Sequence, residues 1–329
     1  MWEMMFHSAL TAAASALLLA VPAAAQTGPS IAYVSNERDS TVSVIDLASG
    51  TLIASFDVGQ RPRGILLSRD GKYLYICASL DNVVEVRDAK TGALVAAMPA
   101  GNDPEQFFLS PDGRYLFVSN EDDAAATAID LDARKVAWQV EVGEEPEGIA
   151  VSPDGKWLLV ASEEDNSVSW IDLATRQTIA QIATDARPRH IEFTPDGRHV
   201  WIAAEIGQTV HVIDVATREI IETIAFAPPG AMAYKVLPCG IRFTPDGKTA
   251  VIALGRADAI ALVDTVSRKV RSYVKTGGRP WHLAITADGT RAVVANGTSD
   301  DVAVVDLASG KVTARIPAGQ GPWGVVLAE

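Results

Sequence analysis

An Asp-Gly pair recurs along this chain at a nearly constant interval. The glycines of successive pairs are 42 residues apart, with one interval of 50. They are Gly71, Gly113, Gly155, Gly197, Gly247 and Gly289. An aspartate that closes a short apolar run keeps the same step, at Asp46, Asp88, Asp130, Asp172, Asp214, Asp264 and Asp306. A fixed period of about 20–50 residues indicates a repeat architecture. Seven copies of one unit therefore fill residues 31 to 329.

Each unit contains four short runs rich in β-branched residues. In the unit around His190 the runs are HIEFT, HVWIAA, TVHVID and EIIETIA, separated by turn residues. Such runs predict antiparallel strands. Four strands in a unit of this length are typical of a propeller blade, which buries its faces against its neighbours. We predict an all-β fold, a seven-bladed β-propeller of four-stranded antiparallel blades.

The two ends of the repeat region indicate how the ring closes. Ile31 begins on a second strand, IAYVSN, whereas the last run, GPWGVVLAE, is a lone first strand. We expect the C-terminal strand to pair with the N-terminal blade, because closure removes a strand edge that invites aggregation. Residues 31–329 are then a single propeller domain, preceded by a short segment at 26–30.

Residues 1–25 have the pattern of a secretory signal peptide. An apolar stretch from Ala9 to Ala23 ends in small residues, with expected cleavage after Ala25. The stretch is short and interrupted by Thr11 and Ser15, so no membrane span is expected. We therefore expect export to the periplasm.

The charge of the chain restricts its partners. The formal net charge is −13, which argues against binding to nucleic-acid phosphates or to an anionic membrane surface. The two cysteines, Cys77 and Cys239, are too few to form a disulfide framework for a domain of this size.

Comparison among the seven copies separates scaffold from candidate site. The Asp-Gly pairs and the aspartates that close the third strands occur in nearly every copy, and turn chemistry explains them. A tetrad containing proline instead varies in charge from copy to copy. The tetrads are RPRG (61–64), DPEQ (103–106), EPEG (145–148), RPRH (187–190), LPCG (237–240), RPWH (279–282) and GPWG (321–324). Each precedes the first strand of a blade, which lines the central channel, so we expect the tetrads to ring one mouth of that channel.

The tetrads predict a funnel with acidic, basic and aromatic sectors. Polar groups that converge beside aromatic rings favour a site for a small ligand or a peptide. The candidate binding residues are Arg61, Arg63, Glu105, Glu147, Arg187, Arg189, His190, Arg279, Trp281, His282 and Trp323. The alternative is a solvated rim, because exposed ion pairs contribute only about 0–1 kcal/mol each and need no functional reason.

Two further features are expected on the same face. The loops SNERD, SNEDD, SEEDN and TSDD are acidic but match no calcium-loop spacing, so we expect them to be solvated. The fifth unit carries eight extra residues within AFAPPGAMAYKVLPCG (225–240). This longer loop is either a lid or docking element or a tolerated insertion.

Several segments carry a family resemblance. AYVSNERDSTVSVIDLASG, PEGIAVSPDGK and GIRFTPDGK resemble the YVTN β-propeller repeats. The chain is more narrowly similar to the PQQ-dependent catabolism-associated β-propeller proteins in SNEDD, ARPRHIEFTPDG, AAEIGQTVHVIDVATR and GPWGVV. The resemblance implies a non-enzymatic periplasmic accessory protein of PQQ-dependent alcohol oxidation, which binds a protein partner of that system or a small ligand. DAKTGALV lacks the tryptophan of the quinoprotein docking motif, so neither PQQ nor another cofactor is expected.

Two alternatives remain open. The chain could be a propeller hydrolase such as a calcium-dependent lactonase, with Glu105 and Glu147 on the metal and His190 or His282 as base. It also resembles, more distantly, the haem d1 propeller of nitrite reductases, in which case His190 or His282 would be the axial ligand. The sequence shows no nucleophile elbow, no metal-ligand motif and no CxxCH, so we assign no catalytic residue and no metal ligand.

Overall fold

The computed structural model of the protein describes residues 31 to 328. Within this range the chain forms seven four-stranded antiparallel sheets, and the first strand of each sheet contacts those of its neighbours around a ring. This confirms the predicted seven-bladed β-propeller. The predicted signal peptide (1–25), the segment 26–30 and Glu329 lie outside the described residues.

The strands are numbered in chain order and grouped by blade. Blade 1 comprises β1 (Ile31–Asn36), β2 (Thr41–Asp46), β3 (Thr51–Asp57) and, from the far end of the chain, β28 (Pro322–Ala328). Blade 2 comprises β4 (Pro62–Leu67), β5 (Tyr73–Ala78), β6 (Val83–Asp88) and β7 (Leu94–Pro99). Blade 3 comprises β8 (Pro104–Leu109), β9 (Tyr115–Asn120), β10 (Ala125–Asp130) and β11 (Lys135–Glu141). Blade 4 comprises β12 (Pro146–Val151), β13 (Trp157–Ser162), β14 (Ser167–Asp172) and β15 (Gln177–Ala183).

The remaining blades follow the same order. Blade 5 comprises β16 (Pro188–Phe193), β17 (His199–Ala204), β18 (Thr209–Asp214) and β19 (Ile220–Ala225). Blade 6 comprises β20 (Ile241–Phe243), β21 (Thr249–Ala253), β22 (Ala259–Asp264) and β23 (Val270–Lys275). Blade 7 comprises β24 (Pro280–Ile285), β25 (Arg291–Asn296), β26 (Asp301–Asp306) and β27 (Lys311–Pro317). Four 3₁₀ turns are Ser79–Asp81, Glu121–Asp123, Ala233–Lys235 and Gly255–Ala257.

Strand β28 closes the ring as expected. It pairs antiparallel with β1, so that Tyr33 lies opposite Val326 and Val34 lies opposite Val325. The register shifts between Val34 and Asn36, where the β28 backbone turns towards the channel mouth. Blade 1 is therefore assembled from both ends of the described chain.

The hydrophobic core lies between adjacent blades. One cluster joins blade 5 to blade 6, and within it the Trp201 and Phe243 rings meet edge to face with centroids 5.3 Å apart. The fourth strands, at the outer edge, are largely exposed. Because each blade buries both faces against its neighbours, the inner strands are held rigidly around the channel.

The repeated aspartates are turn residues, as predicted. Asp112 accepts hydrogen bonds from the Ser110 hydroxyl (2.5 Å) and the Arg114 amide (3.1 Å), and these bonds lower the pKa of its carboxyl. Gly113 beside it has a φ of 75°, a left-handed conformation that glycine adopts without strain. Asp172, which closes a third strand, accepts the amides of Ala174 and Thr175.

The extra residues of the fifth unit form a loop that crosses the same face as the tetrads. Its amide at Ala227 donates to the Tyr273 hydroxyl oxygen at 2.8 Å, and a 3₁₀ turn covers Ala233–Lys235. Strand β20 is only three residues long, so the tetrad 237–240 lies outside the strand. No helix in residues 31–328 is long and apolar enough to cross a membrane.

Candidate functional site

The tetrads converge at one mouth of the channel, and most of them begin with a residue in the left-handed conformation. The residue before the proline has a positive φ in six of the seven blades: Arg61 (53°), Asp103 (46°), Glu145 (50°), Arg187 (61°), Arg279 (51°) and Gly321 (70°). Non-glycine residues in this region cost about 1–3 kcal/mol each, so surrounding contacts must hold them. Side chains of the preceding blade provide such contacts. Asn82, for example, accepts the amide of Asp103 at 3.0 Å, and Asn166 accepts that of Arg187 at 2.8 Å.

The third tetrad position carries a buried network of ion pairs. Arg63 pairs with Glu37 (2.9 Å), Glu105 and Glu147 (3.6 Å). Arg189 also pairs with Glu147, at 3.7 Å, so this carboxylate lies between two arginines. Burial alone would raise the pKa of Glu147, but Arg189 and Arg63 hold it below its ordinary value. Glu147 is therefore ionised and joins blades 2, 4 and 5.

The same network continues into the loops that follow the second strands. Arg189 Nε lies 2.7 Å from Glu163 Oε1 and 3.2 Å from Glu205 Oε2. Both glutamates are buried, at 4% and 5% exposure. The expectation that the acidic loops are solvated is thus wrong for Glu163 and for Glu37. Glu37 and Glu163 turn inward, where they supply Arg63 and Arg189 with a counterion in addition to Glu147.

Three arginines at the first tetrad position face the solvent more openly. Arg61 contacts Asp103 at 2.9 Å, Arg187 contacts Glu163 at 2.6 Å, and Arg279 approaches Glu205 at 3.9 Å. The Arg279 guanidinium also lies 4.1 Å from the centroid of the Trp281 ring, a cation–π contact. Arg187 and Arg279 are thus accessible cations at the mouth.

The fourth tetrad position fills the channel with alternating large and small residues. The large residues are Gln106, His190 and His282. Around the ring they alternate with Gly148, Gly240 and Gly324. The glycines are required, because a Cβ on Gly148 would lie 2.8 Å from the Arg189 carbonyl oxygen. The His190 and His282 rings meet edge to face at 5.2 Å, and His282 lies 4.1 Å from the Trp323 ring.

Both histidines are buried and uncharged. Burial lowers the pKa of His190, and burial together with electrostatic repulsion between the two imidazoles lowers the pKa of His282 well below its ordinary value. His190 Nδ1 and His282 Nε2 have no hydrogen-bond partner among the described residues. A neutral imidazole packed this deeply does not meet a ligand at the mouth.

The structure brings all eleven predicted site residues to one face but divides them by depth. Arg61, Arg187 and Arg279 remain partly exposed, whereas the others are buried or nearly so. The buried ones are Arg63, Glu105, Glu147, Arg189, His190, Trp281, His282 and Trp323. Instead of separate acidic and basic sectors, arginines and carboxylates of neighbouring blades alternate as paired charges.

An accessible cleft opens beside this network, between blades 5 and 6. It has a volume of about 330 Å³ and is lined by Arg187, Arg189, Glu205, Ile206, Gln208, Tyr234, Leu237, Arg256 and Arg279. Tyr234 and Leu237 come from the inserted loop. A smaller cleft of about 190 Å³ shares Arg187 and Ile206 and reaches Glu163. We call the two together the arginine cleft. Four arginines line it, and the accessible guanidinium groups among them suit an anionic ligand.

Three contributors to the arginine cleft escaped the sequence analysis. Glu163 lies in the loop SEEDN, which was expected to be solvated, and Glu205 follows HVWIAA in a loop that was not singled out. Arg256 lies in the LGRAD segment, which shows no repeat signal. The position of the glutamates carried a usable signal, because Glu37, Glu121, Glu163 and Glu205 all directly follow the second strand of their blades. A larger cleft of about 430 Å³ on the opposite face lies among the Asp-Gly turns of blades 5 and 6, where the aspartates cap their own turns.

The pKa of the Glu163 carboxyl lies near neutral pH. Burial and the neighbouring Glu147 carboxylate raise the pKa of Glu163 to about 7, against the opposing charges of Arg189 and Arg187. A carboxyl with a pKa near the working pH can serve as a general base. The arginine cleft therefore combines a candidate base with cations that can stabilise a developing negative charge.

Solved structures share this fold at low sequence identity. Hydrazine synthase from Kuenenia stuttgartiensis is 22% identical, with a TM-score of 0.77 over 85% of this chain and 93% of that chain. A candidate 6-phosphogluconolactonase from Bacteroides uniformis ATCC 8492 is 18% identical, with a TM-score of 0.75 over 92% and 100%. The dihydro-heme d1 dehydrogenase NirN, solved in complex with DHE, is 19% identical, with a TM-score of 0.68 over 91% and 75%. No curated protein matches the chain significantly.

A family model decides between the functional expectations. Residues 6–139 and 171–325 match the family described as lactonase, 7-bladed beta-propeller. With this match and the neighbours named 6-phosphogluconolactonase and NirN, the expected role as a non-enzymatic accessory protein of PQQ-dependent alcohol oxidation is wrong. Of the two alternatives, the family match favours the propeller lactonase. The chain belongs to the lactonase family of seven-bladed β-propellers.

Proposed function

We propose that the protein hydrolyses a lactone that carries an anionic group, and that the arginine cleft is the active site. Membership of the lactonase family supports the reaction class. The observation that carries the assignment to this cleft is the placement of Glu163, with its pKa of about 7, next to accessible guanidinium groups. The candidate 6-phosphogluconolactonase of the same fold acts, by its name, on a phosphorylated sugar lactone.

The cleft is lined by both charged and apolar side chains. Arg256 and Arg279 are among its lining residues, and a phosphate or carboxylate of the substrate can accept their hydrogen bonds. Ile206 and Tyr234 also line the cleft and are 54% and 65% exposed, so they can pack against a sugar ring. The volume of about 330 Å³ is at the lower end of the range for small-ligand sites.

The proposed chemistry uses water as the nucleophile. The Glu163 carboxylate accepts a proton from water while the water oxygen bonds to the lactone carbonyl carbon. The carbonyl oxygen becomes an oxyanion, which Arg187 stabilises. When the intermediate collapses, the ring C–O bond breaks and the leaving alkoxide takes the proton from Glu163. The product is the open-chain hydroxy acid.

The test is hydrolysis of 6-phosphogluconolactone and of unphosphorylated gluconolactone, each corrected for spontaneous ring opening. The wild-type protein should have the lower KM for the phosphorylated lactone. Glu163→Gln should lower kcat by about 100-fold or more. Glu144→Gln, an exposed acid of blade 4 that lines neither part of the cleft, is the matched control and should keep the wild-type kcat. No turnover of either lactone, or an unchanged kcat in Glu163→Gln, would refute the proposal.

Haem d1 binding is the second candidate, and one observation favours it. The ring nitrogens His190 Nδ1 and His282 Nε2 are unpartnered among the described residues. A tetrapyrrole would reach them only by displacing the layer of ion pairs formed by Arg63 and Arg189. Titration of the protein with haem should give a Soret shift that His282→Ala removes if this candidate holds, and no shift if it does not.

We also propose that the enzyme acts in the periplasm, on the basis of the signal-like residues 1–25. Cell fractionation checks this, and recovery of the uncleaved protein in the cytoplasm would contradict it. The resemblance to YVTN repeats concerns the sequence of the individual repeat unit. Membership of the YVTN group stays a prediction.

A further inference from the structure

We propose that blade 3 carries a binding site for one hard divalent cation, best suited to calcium, formed by Asp103, Glu105 and Glu121. This site is separate from the proposed lactone hydrolysis, since the arginine cleft lies between blades 4, 5 and 6. It requires neither a substrate nor Glu163.

The three carboxylates converge from two neighbouring loops of one blade. Asp103 is the left-handed residue before β8, Glu105 is the second residue of β8, and Glu121 begins the 3₁₀ turn after β9. One carboxylate oxygen from each lies within 4.8 Å of the other two. Calcium binds oxygen at about 2.3–2.6 Å, so oxygens on opposite sides of one ion are about 4.6–5.2 Å apart. The three oxygens can therefore share one ion without rearrangement of the backbone.

A buried oxygen without a hydrogen bond points into this cluster. The Glu105 side chain is fully buried, and its Oε2 pairs with Arg63. Its Oε1 lies 3.3 Å from Arg61 Nη1, on the side of Asp103, yet it accepts no hydrogen bond. Glu121 Oε2 is likewise buried without a hydrogen bond, 4.0 Å from Arg61 Nη2. A buried carboxylate oxygen that accepts no hydrogen bond is costly, and cation coordination is a common way to satisfy it.

The local charge supports a divalent ion. Arg61 contacts all three carboxylates of the cluster, at distances between 2.9 and 4.0 Å. Among the described residues Arg61 is the only cation that contacts Asp103 and Glu121, and Arg63, the second partner of Glu105, is shared with Glu37 and Glu147. The cluster therefore carries more negative than positive charge.

Arg61 is the natural competitor of the ion. Its side chain is 25% exposed, and its Nε already lies 3.5 Å from Glu37 on the other side. Outward rotation towards Glu37 and the solvent would release Asp103 and Glu105 Oε1 to the cation. Binding of the ion therefore exchanges one intramolecular cation for an external one, and removal of Arg61 should favour binding.

Isothermal titration of the chelator-treated full-length protein with calcium chloride tests the site. Wild-type protein should bind one ion per chain. Glu121→Gln should weaken binding by about tenfold or more, because the affinity of calcium sites follows the number of charged ligands. Arg61→Ala should tighten it by about tenfold, which corresponds to the loss of one competing contact. A thermal melt of each variant confirms that it is folded.

Asp122→Asn is the matched control, since Asp122 is an exposed acid in the same turn, next to Glu121. It changes the loop charge equally but removes no proposed ligand, so its affinity should stay within about twofold of the wild type. Absence of one-to-one binding overturns the site, as does an equal effect of Glu121→Gln and Asp122→Asn, or weaker binding in a folded Arg61→Ala variant. Loss of lactonase activity in Glu163→Gln would leave this result unchanged, so the two proposals fail separately.

Discussion

The side-chain amide of Gln106 donates a hydrogen bond of 3.2 Å to the carbonyl oxygen of Arg189, two blades further round the ring. It also approaches Glu147 Oε1 at 3.3 Å. The contact is available because blade 4, between them, carries Gly148 at the same level. The channel is thus closed by polar side chains that cross it.

Gln106→Ala should destabilise the propeller because it removes the hydrogen bonds that the Gln106 amide donates across the channel. The Arg189 carbonyl and Glu147 lose a buried donor, so we expect a loss of about 1–3 kcal/mol in the free energy of unfolding. Chemical denaturation measures it. Gln106→Glu is a sharper variant, because it places a carboxylate beside Glu147 and should cost more than alanine. Equal stability of the wild type and Gln106→Ala would show that the crossing contact is unimportant.

Gly148→Ala should be more harmful than an alanine at a turn glycine. A Cβ at Gly148 would lie 2.8 Å from the Arg189 carbonyl oxygen, and neither backbone can move without shifting a blade. At Gly113 the nearest atoms to a Cβ are 3.4 Å away, on the flexible Arg69 side chain, so mainly the positive φ opposes alanine there. That cost is about 1 kcal/mol. Thermal melts of the two variants should therefore rank Gly148→Ala below Gly113→Ala, and the reverse order would contradict the close approach.

Removal of β28 should open the ring. Val325 on this strand is buried against blades 1 and 7, and the strand supplies the only partner of the inner edge of β1 among the described residues. We expect a chain ending at Gln320 to melt at a lower temperature and less cooperatively, and to aggregate through the exposed edge. Calorimetry and light scattering check this. A truncated protein that melts as late and as sharply as the parent would show that the ring needs no such closure.

Glu163 should make both activity and stability depend on pH near neutrality. Its pKa of about 7 in the folded protein lies above the ordinary value of a glutamate. Between these two values the folded state binds more protons than the unfolded state, so stability falls as the pH rises through this window. Activity should instead rise through about pH 7 as the carboxylate forms. Glu163→Gln should flatten both profiles in this window, which kcat/KM and unfolding measurements at each pH would reveal.

The fold was predictable from the sequence because each repeat unit carries the same turn residues at the same spacing. The spacing of Gly113 and its counterparts indicated the blades, and the unpaired strand at each end indicated the closure. These signals are local in the sequence and occur in each unit. The units of a single chain can therefore be compared with one another. The only departure is the first strand of blade 6, shortened to Ile241–Phe243 because the inserted loop precedes it.

The site was only half predictable, for a different physical reason. The tetrads showed which residues reach the mouth, but not that Arg189 is neutralised there by Glu163 and Glu205 from two other loops. Loop residues are placed by contacts that are distant in the sequence, so their burial leaves no periodic pattern. Arg256 escaped for the same reason, since only the folded blade 6 brings it beside Arg279.

The alternation of large and small residues around the channel is affected by the odd number of blades. A ring with an odd number of members cannot alternate without placing two like members side by side. Here the unavoidable pair is Gly324 of blade 1 and Gly64 of blade 2, and it stands at the junction that the C-terminal strand completes. A gain or loss of one 42-residue unit would make the ring even and remove this mismatch. The contents of the channel therefore do not by themselves select seven blades, and the packing between blades sets that number although it places two glycines side by side.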